Sequence, residues 1–435
     1  MKNKNNELFF SIYSILLVVV LLLSVNITNS SLIWILIGGC AMLFFKPQYL
    51  IPVYLISSLS SNYFVLEDGM GISRIIGSIL IISGGFYLIR TRPLIEKKNL
   101  KLLCLILLFC LISSLLFSFT NSLHSFLLTV QYFLIVAVFS QFKKVNLNIL
   151  TKLIVISSFI TILVLAFTLK DSILNTGVER LSSSEYVNAN RFAMMLAQLS
   201  AVLISWVLIF KNKISRVFSS GAILLAFFMI ILSGSRSATF AVTLTVAIFI
   251  LYSLKKSLFK MLIPLFFITI IVSFFLSELE SVNFKIIDRF SVNGIQTSGG
   301  SLGRLEIWEK LIPKVLANNP LLGVGFGAEN VFYLAEKNGL DHAAHNFIID
   351  MFLQIGIFGV IVYFSYFIFI IKKIKTKLHN TMILLPIVLL LTALLNGVGE
   401  TIFCEKPFWN AIALAWLYMN NITPKANQNQ KIQNL

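Results

Sequence analysis

Apolar runs of roughly bilayer length follow one another along nearly the whole chain, broken by short polar segments. A membrane-spanning helix needs about 20 mostly apolar residues. Runs of that kind lie at 8–25, 31–45, 48–66, 72–89, 102–119, 123–140, 150–168, 190–210, 217–233, 238–254, 258–277, 344–371, 382–396 and 408–420. They predict an all-α polytopic membrane protein with about fourteen transmembrane helices. Lys46-Pro47 splits the pair 31–45 and 48–66. The first run follows a Lys-bearing start and lacks a small-residue cleavage site, so it reads as an uncleaved span. Most connections are short, which obliges the helices to pack closely. Two are long, Leu169 to Ala189 and Glu278 to Ala343. The second exceeds any simple connector and predicts a large extracytoplasmic loop carrying short helices. The expected organisation is membrane helices over 1–277, the loop over 278–343, further membrane helices over 344–423, and a tail over 424–435. The tail is rich in Asn, Gln and Lys, a composition that predicts disorder.

Composition narrows the class. Apolar residues make up 57% of the chain and charged ones 12%, against about 45–50% and about 25% in soluble domains. This favours one membrane domain over a soluble domain with an anchor. A net charge of +17 alone would suggest nucleic acid, but its distribution argues otherwise. With the N-terminus inside, inner segments hold 23 of the 35 Lys and Arg residues, from Lys2 to Lys431. Of the acidic residues, Glu7 and Glu96 lie inside and the other 16 of 18 outside. Cytoplasmic loops collect Lys and Arg. The positive charge is therefore a topology signal: it predicts both termini in the cytoplasm and requires no nucleic-acid partner. Cys40, Cys104, Cys110 and Cys404 match no metal or disulfide spacing and read as packing residues.

Charges at a membrane edge are costly and mark functional candidates. Four places qualify, all on the predicted outer side. The first runs from Glu179-Arg180 to Asn188-Ala189-Asn190-Arg191, where Asn190 can cap the following helix. Arg191 falls in that helix's first turn, where the dipole disfavours a cation, so it is either a surface arginine or a ligand-binding one. The second is Ser233-Gly234-Ser235-Arg236-Ser237, a tight turn between apolar helices. Small hydroxyl residues around the Arg236 guanidinium suggest an oxyanion cradle rather than snorkelling to headgroups. The third is Gly303-Arg304 through Trp308 to Leu316, then Asn319 to Gly327. Leu305, Trp308, Ile312 and Val315 share a face at helical spacing that suits packing on the membrane domain, and Pro313 should bend or break the helix. No strand leads into the Gly-x-Gly-x-Gly run, so a nucleotide loop is a poor reading. The fourth is His342 to Asn346 with Asp350 and Gln354, spaced four and four on one helix face that should point into the bundle. The two histidines stand three apart without a matching ligand set, so no metal is expected. His124 and His379 lack such company.

Together these pieces resemble the O-antigen polymerase and O-antigen ligase superfamily of bacterial envelope enzymes. The resemblance rests on Ser233 to Ser237, Gly303-Arg304 to Trp308, Asn319-Pro320-Leu321-Leu322-Gly323-Val324-Gly325-Phe326-Gly327, and His345-Asn346 to Gly356 and Gly359. It covers roughly residues 180 to 365, with Ala189 standing where the family usually has a proline. It implies metal-independent, inverting glycosyl transfer, without a cofactor, on the periplasmic face of the inner membrane. The donor would be an undecaprenyl-pyrophosphate-linked oligosaccharide. Chain-length regulator proteins and membrane lipid are the implied partners. His345, Arg236 and Arg304 would carry the chemistry, and Arg180, Asn190, Arg191, Ser235, Trp308, Asn346 and Asp350 would bind substrate. Polymerase and ligase both fit, and a lipid or solute transporter is the reading from another class. Transporters favour broken helices and midplane charges, whereas here the polar groups gather at one edge.

Overall fold

A computed structural model of the chain describes residues 2–26, 30–44, 46–59, 71–91, 97–117, 119–170, 181, 188–254, 301–340, 344–399 and 405–422. These form α1 (Lys2–Asn26), α2 (Ser30–Met42), α3 (Pro47–Leu59), α4 (Ile72–Thr91), α5 (Lys97–Phe117), α6 (Phe119–Phe139) and α7 (Leu147–Thr168). Then follow α8 (Ala189–Ile209), α9 (Lys213–Leu232), α10 (Arg236–Leu254), α11 (Ser301–Asn318), α12 (Ala328–Glu336), α13 (Phe347–Lys375), α14 (Leu384–Gly397) and α15 (Lys406–Asn421). Among the described residues no strand forms. The protein is an all-α polytopic membrane protein: among the described residues eight helices are long and apolar enough to cross a bilayer. The expected span 258–277 and the tail lie outside the described residues.

The short helices explain themselves by burial. α3 and α15 have 13 and 16 residues, less than a span. A helix that is hydrophobic all round belongs inside a bundle. Tyr49 to Ser58 of α3 and Phe408 to Met419 of α15 are all buried. Trp409 of α15 stacks near Phe133 at 4.4 Å and lies 6.0 Å from Tyr363. Lys46-Pro47 separates α2 from α3 as expected, with the proline in the first helical position, where its missing N–H costs nothing.

Polarity runs opposite to a soluble core. Trp34, Met42, Ile89, Phe167, Val217 and Leu224 stand exposed on the outside. Ser57, Ser113, Thr151, Thr161, Thr245 and Thr392 are buried. Between helices in lipid, small polar side chains supply hydrogen bonds and close approach. Thr245 and Thr392 pair at 3.1 Å, and Thr151 meets the Tyr418 hydroxyl at 2.7 Å.

The long α13 is broken at Gly356, whose φ of +64° and ψ of −172° leave the helix. The loop 319–327 mends the break. Ile357 N–H donates to Pro320 O at 3.0 Å, and Val324 N–H donates to Leu353 O at 2.8 Å. Ser113 of α5 donates to both Leu322 O (2.9 Å) and Gln354 O (2.7 Å). Backbone freed inside a membrane protein must find such partners. A Cβ on Gly356 would overlap the Leu321 carbonyl, and one on Gly323 would meet the Gln354 carbonyl carbon at 2.6 Å. Gly323 and Gly356 thus serve backbone-to-backbone contact, while Gly325 and Gly327 admit the side chains of Asn330, Phe117, Glu329 and Ser125.

Two sequence expectations need correction around it. Pro313 does not break α11, which continues to Asn318. Pro313 is exposed, so the helix loses one hydrogen bond on a face that has nothing to pack. The buried face of α11 is Ile307, Leu311 and Val315, while Leu305 is exposed. With Val331, Ala335, Leu340 and Leu353 these residues make a separate small core that seats α11 and α12 on the near end of α13.

Candidate active site

The charged motifs meet at the end of the bundle where α8, α10, α13 and α15 begin and α9 and α14 finish. The turn between α9 and α10 is built by its own hydroxyls. Gly234 N–H donates to Ile231 O at 2.8 Å, and Ser235 N–H donates to Ser233 Oγ at 3.2 Å. Ser233 and Ser235 are fully buried, and Ser235 Oγ lies 3.4 Å from Ser237 Oγ. Arg236 leaves this rigid turn half-buried as the first residue of α10. Leu181 N–H donates to Leu232 O at 3.0 Å, which brings the segment before α8 to the same turn. Its neighbour Arg180 lies outside the described residues.

Three motifs converge on Val398-Gly399, just past α14. A Cβ placed on Gly399 would stand 2.8 Å from Ser237 Cβ and 3.2 Å from Arg304 Nη1. The Arg304 guanidinium therefore reaches the turn that carries Arg236, although 68 residues separate them in sequence (304 minus 236). Asn346 Nδ2 donates to Val398 O at 3.2 Å. Trp308, one turn along α11 from Arg304, donates its indole N–H to Ala344 O at 2.7 Å. His345 is thus clamped from both sides, through Ala344 and through Asn346. Its φ of +50° is uncommon outside glycine, a strained geometry held by its surroundings.

Asn346 caps α13 rather than lining its face: its Oδ1 accepts from Ile348 N–H (3.1 Å) and Ile349 N–H (3.3 Å). Asp350 follows one turn inside, fully buried, its N–H donating to Asn346 O at 2.8 Å. Gln354 faces the same interior, its Oε1 accepting from Gly327 N–H at 3.1 Å. At the start of α8 the cap is Asn188, not Asn190. Its side chain accepts from Asn190 N–H at 2.9 Å because Ala189 already adopts the helix. Arg191 pairs with Glu405 at 3.4 Å, both partly exposed; its contact is with α15 rather than with the Arg236 turn.

Sequence reasoning passed over Val398, Gly399, Glu405 and Lys406. The signal was present in Asn396-Gly397-Val398-Gly399-Glu400 closing an apolar run, and in an acid–base pair heading the last one. Lys406 heads α15, ahead of the apolar stretch 408–420, and donates to Ser73 Oγ at 2.7 Å. Burial pulls its ammonium down to about 8; Glu405 opposes that pull, and Arg74 and Arg191 add to it. Among the described residues no three His, Cys, Asp or Glu side chains group as metal ligands would.

Residues 221–364 match the family model described as O-Antigen ligase. The chain carries an O-antigen ligase family domain. No curated protein matches the chain. The O-antigen ligase domain takes in the Arg236 turn, Arg304, Trp308, His345, Asn346 and Asp350, and ends within α13. Asn190, Arg191, Gly399 and Glu405 lie beyond its limits and complete the same end of the bundle.

Proposed function

We propose that this protein is a polysaccharide polymerase of the bacterial inner membrane. It moves a glycan from undecaprenyl pyrophosphate onto the next lipid-linked repeat unit, on the extracytoplasmic side. The observation that supports this most is the meeting of Arg304, the Arg236 turn and the His345-Asn346 segment at Val398-Gly399. Two guanidiniums at a membrane edge suit a lipid pyrophosphate, which Arg binds through a planar fork. An acceptor hydroxyl oxygen attacks C1 of the donor's reducing-end sugar. The C1–O bond breaks with its electron pair passing to the pyrophosphate, and Arg236 and Arg304 stabilise the charge that develops there. His345 takes the hydroxyl proton, a role suited to an imidazole. One glycosidic bond forms with inversion, and undecaprenyl pyrophosphate leaves.

Ser235 fixes the Arg236 turn, Trp308 fixes Arg304 relative to His345, Asp350 backs the Asn346 cap from inside α13, and Asn190 borders the glycan. An apolar crevice of about 420 Å³ lined by Ile204, Leu208, Ile223, Leu224, Phe249 and Ile250 offers room for part of an isoprenoid chain. The description of the matched family favours a second reading, transfer to lipid A core. Glycan profiles of a deletion strain separate the two. A lost ladder with single repeats still on core supports the polymerase; bare core with long lipid-linked chains supports the ligase; unchanged glycans refute both. In purified enzyme, Arg304→Ala should weaken donor binding and turnover. His345→Ala should lower turnover by roughly 10²–10⁴-fold with donor binding kept, and wild-type turnover would remove its role as base.

A further inference from the structure

A second group of cations sits at the same end of the bundle, on helices that Arg236, Arg304 and His345 do not use. Arg74 is the third residue of α4, Arg191 the third of α8 and Lys406 the first of α15. Arg74 Nη2 lies 3.1 Å from His124 Nε2 on α6. An arginine only donates, so this ring nitrogen is the acceptor and the other ring nitrogen keeps an N–H to offer. Lys406 is tied to Ser73, beside Arg74. Among the described residues the carboxylates nearby are already engaged: Glu405 faces Arg191 at 3.4 Å, and Glu329 accepts from Ser125 Oγ at 3.1 Å.

Each cation stands within the first turn of a helix, where the macrodipole disfavours positive charge. Burial holds the lysine low, with Glu405 opposing and Arg74 and Arg191 adding to the shift. The Nε of Arg74 is buried with no acceptor among the described residues. Cations at converging helix N-termini, one with a donor unspent, make an anion site, since the helix N–H groups add to the attraction. This group is separate from the first one yet near it. Glu405 follows Gly399 by six residues, so their Cα atoms lie within about 20 Å of each other.

We propose that Arg74, His124, Arg191 and Lys406 hold the pyrophosphate of a second lipid-linked saccharide, the acceptor of chain growth. This rests on the glycosyl-transfer reading above. In polymerisation both substrates carry a lipid pyrophosphate, so two such sites are required; a glycan donor alone needs one. The acceptor lies with its pyrophosphate at this second group and its glycan extending to His345, where the terminal hydroxyl meets the donor.

The test uses the full chain in nanodiscs with an undecaprenyl-pyrophosphate-linked repeat unit. Wild type should bind two molecules per chain, and Arg74→Gln or Lys406→Gln one, with Lys406→Arg restoring the second. In turnover, either Gln variant should raise the KM for the lipid-pyrophosphate acceptor on the order of 10- to 100-fold. The same repeat unit on a short phosphate-free alkyl chain should be used equally by all variants, which also reports correct folding. Inorganic pyrophosphate should compete with the lipid-linked acceptor. A single bound molecule in wild type, equal losses with both acceptors, or equal competition by phosphatidylglycerol vesicles would each overturn the proposal. Absence of glycosyl transfer in wild type would sink the polymerase reading, while the binding stoichiometry would still decide the second site.

Discussion

Gly399→Ala tests the convergence at the site most directly. The new methyl would lie 2.8 Å from Ser237 Cβ and 3.2 Å from Arg304 Nη1. Carbon atoms settle at about 3.5–4.0 Å, so Ser237, Arg304 or both must retreat by roughly 0.5–1 Å. A displacement near 1 Å at a positioning contact costs on the order of 10²-fold in rate. Overpacking of this kind destabilises a protein by about 1–3 kcal/mol, and less where the crowded groups lie at an open end. The expected result is a turnover loss of about 10- to 100-fold with a small fall in Tm. Removing the partner methylene should reverse it: Gly399→Ala with Ser237→Gly should recover most of the activity. The assay is transfer of a labelled lipid-linked glycan, with thermal unfolding followed in the same detergent. Wild-type turnover in the single variant, or no recovery in the double variant at an unchanged Tm, would refute the idea that these motifs share one site.

Arg236→Lys keeps the charge and loses the planar fork; activity should fall severely with normal membrane insertion, and full activity would exclude bidentate phosphate binding. Trp308→Phe keeps most of the ring but leaves Ala344 O without its indole donor, a loss of about 1–3 kcal/mol; turnover should fall more than donor affinity, and equal kinetics would remove Trp308 from the positioning of His345. Gly356→Ala should lower Tm strongly, because a φ of +64° with a ψ of −172° is backbone essentially reserved for glycine, costing other residues on the order of 1–3 kcal/mol, and the methyl displaces the loop that mends α13; an unchanged Tm would refute that packing. Lys337→Cys, on an exposed position after α12, should react with an impermeant thiol reagent in intact cells with a permeabilised outer layer, and labelling only after lysis would invert the proposed topology.

The membrane fold was legible because long apolar runs with few charges are a local property of sequence. The cluster was legible for a related reason: Arg236, Arg304 and His345 are polar positions at the edges of apolar runs, and the structure draws their segments together at Val398-Gly399. What could not be read was which face each helix turns inward. Trp308 was correctly tied to the membrane domain, but the buried stripe beside it is Ile307, Leu311 and Val315, since the partner surface on α13 decides it. Asn188 displaced Asn190 as cap because the helix gains only Ala189 and Asn190, and alanine is the best helix former. Gly399 was invisible as a site residue, since its contribution is the side chain it lacks. His124 looked solitary because Arg74 reaches it from a helix 50 positions earlier.

The mended break in α13 bears on how the protein is made. The loop that supplies the missing main-chain partners is synthesised before Gly356, and Ser113, which clasps both, is synthesised earlier still. When Ile357 leaves the ribosome, its amide has no partner inside its own helix; it must meet Pro320, made 37 residues earlier (357 minus 320). The near end of α13, with His345 and Asn346, is therefore finished only after the loop has folded back onto it. A chain stalled at that stage would carry the Arg236 turn and Arg304 without the His345-Asn346 segment set beside Val398-Gly399.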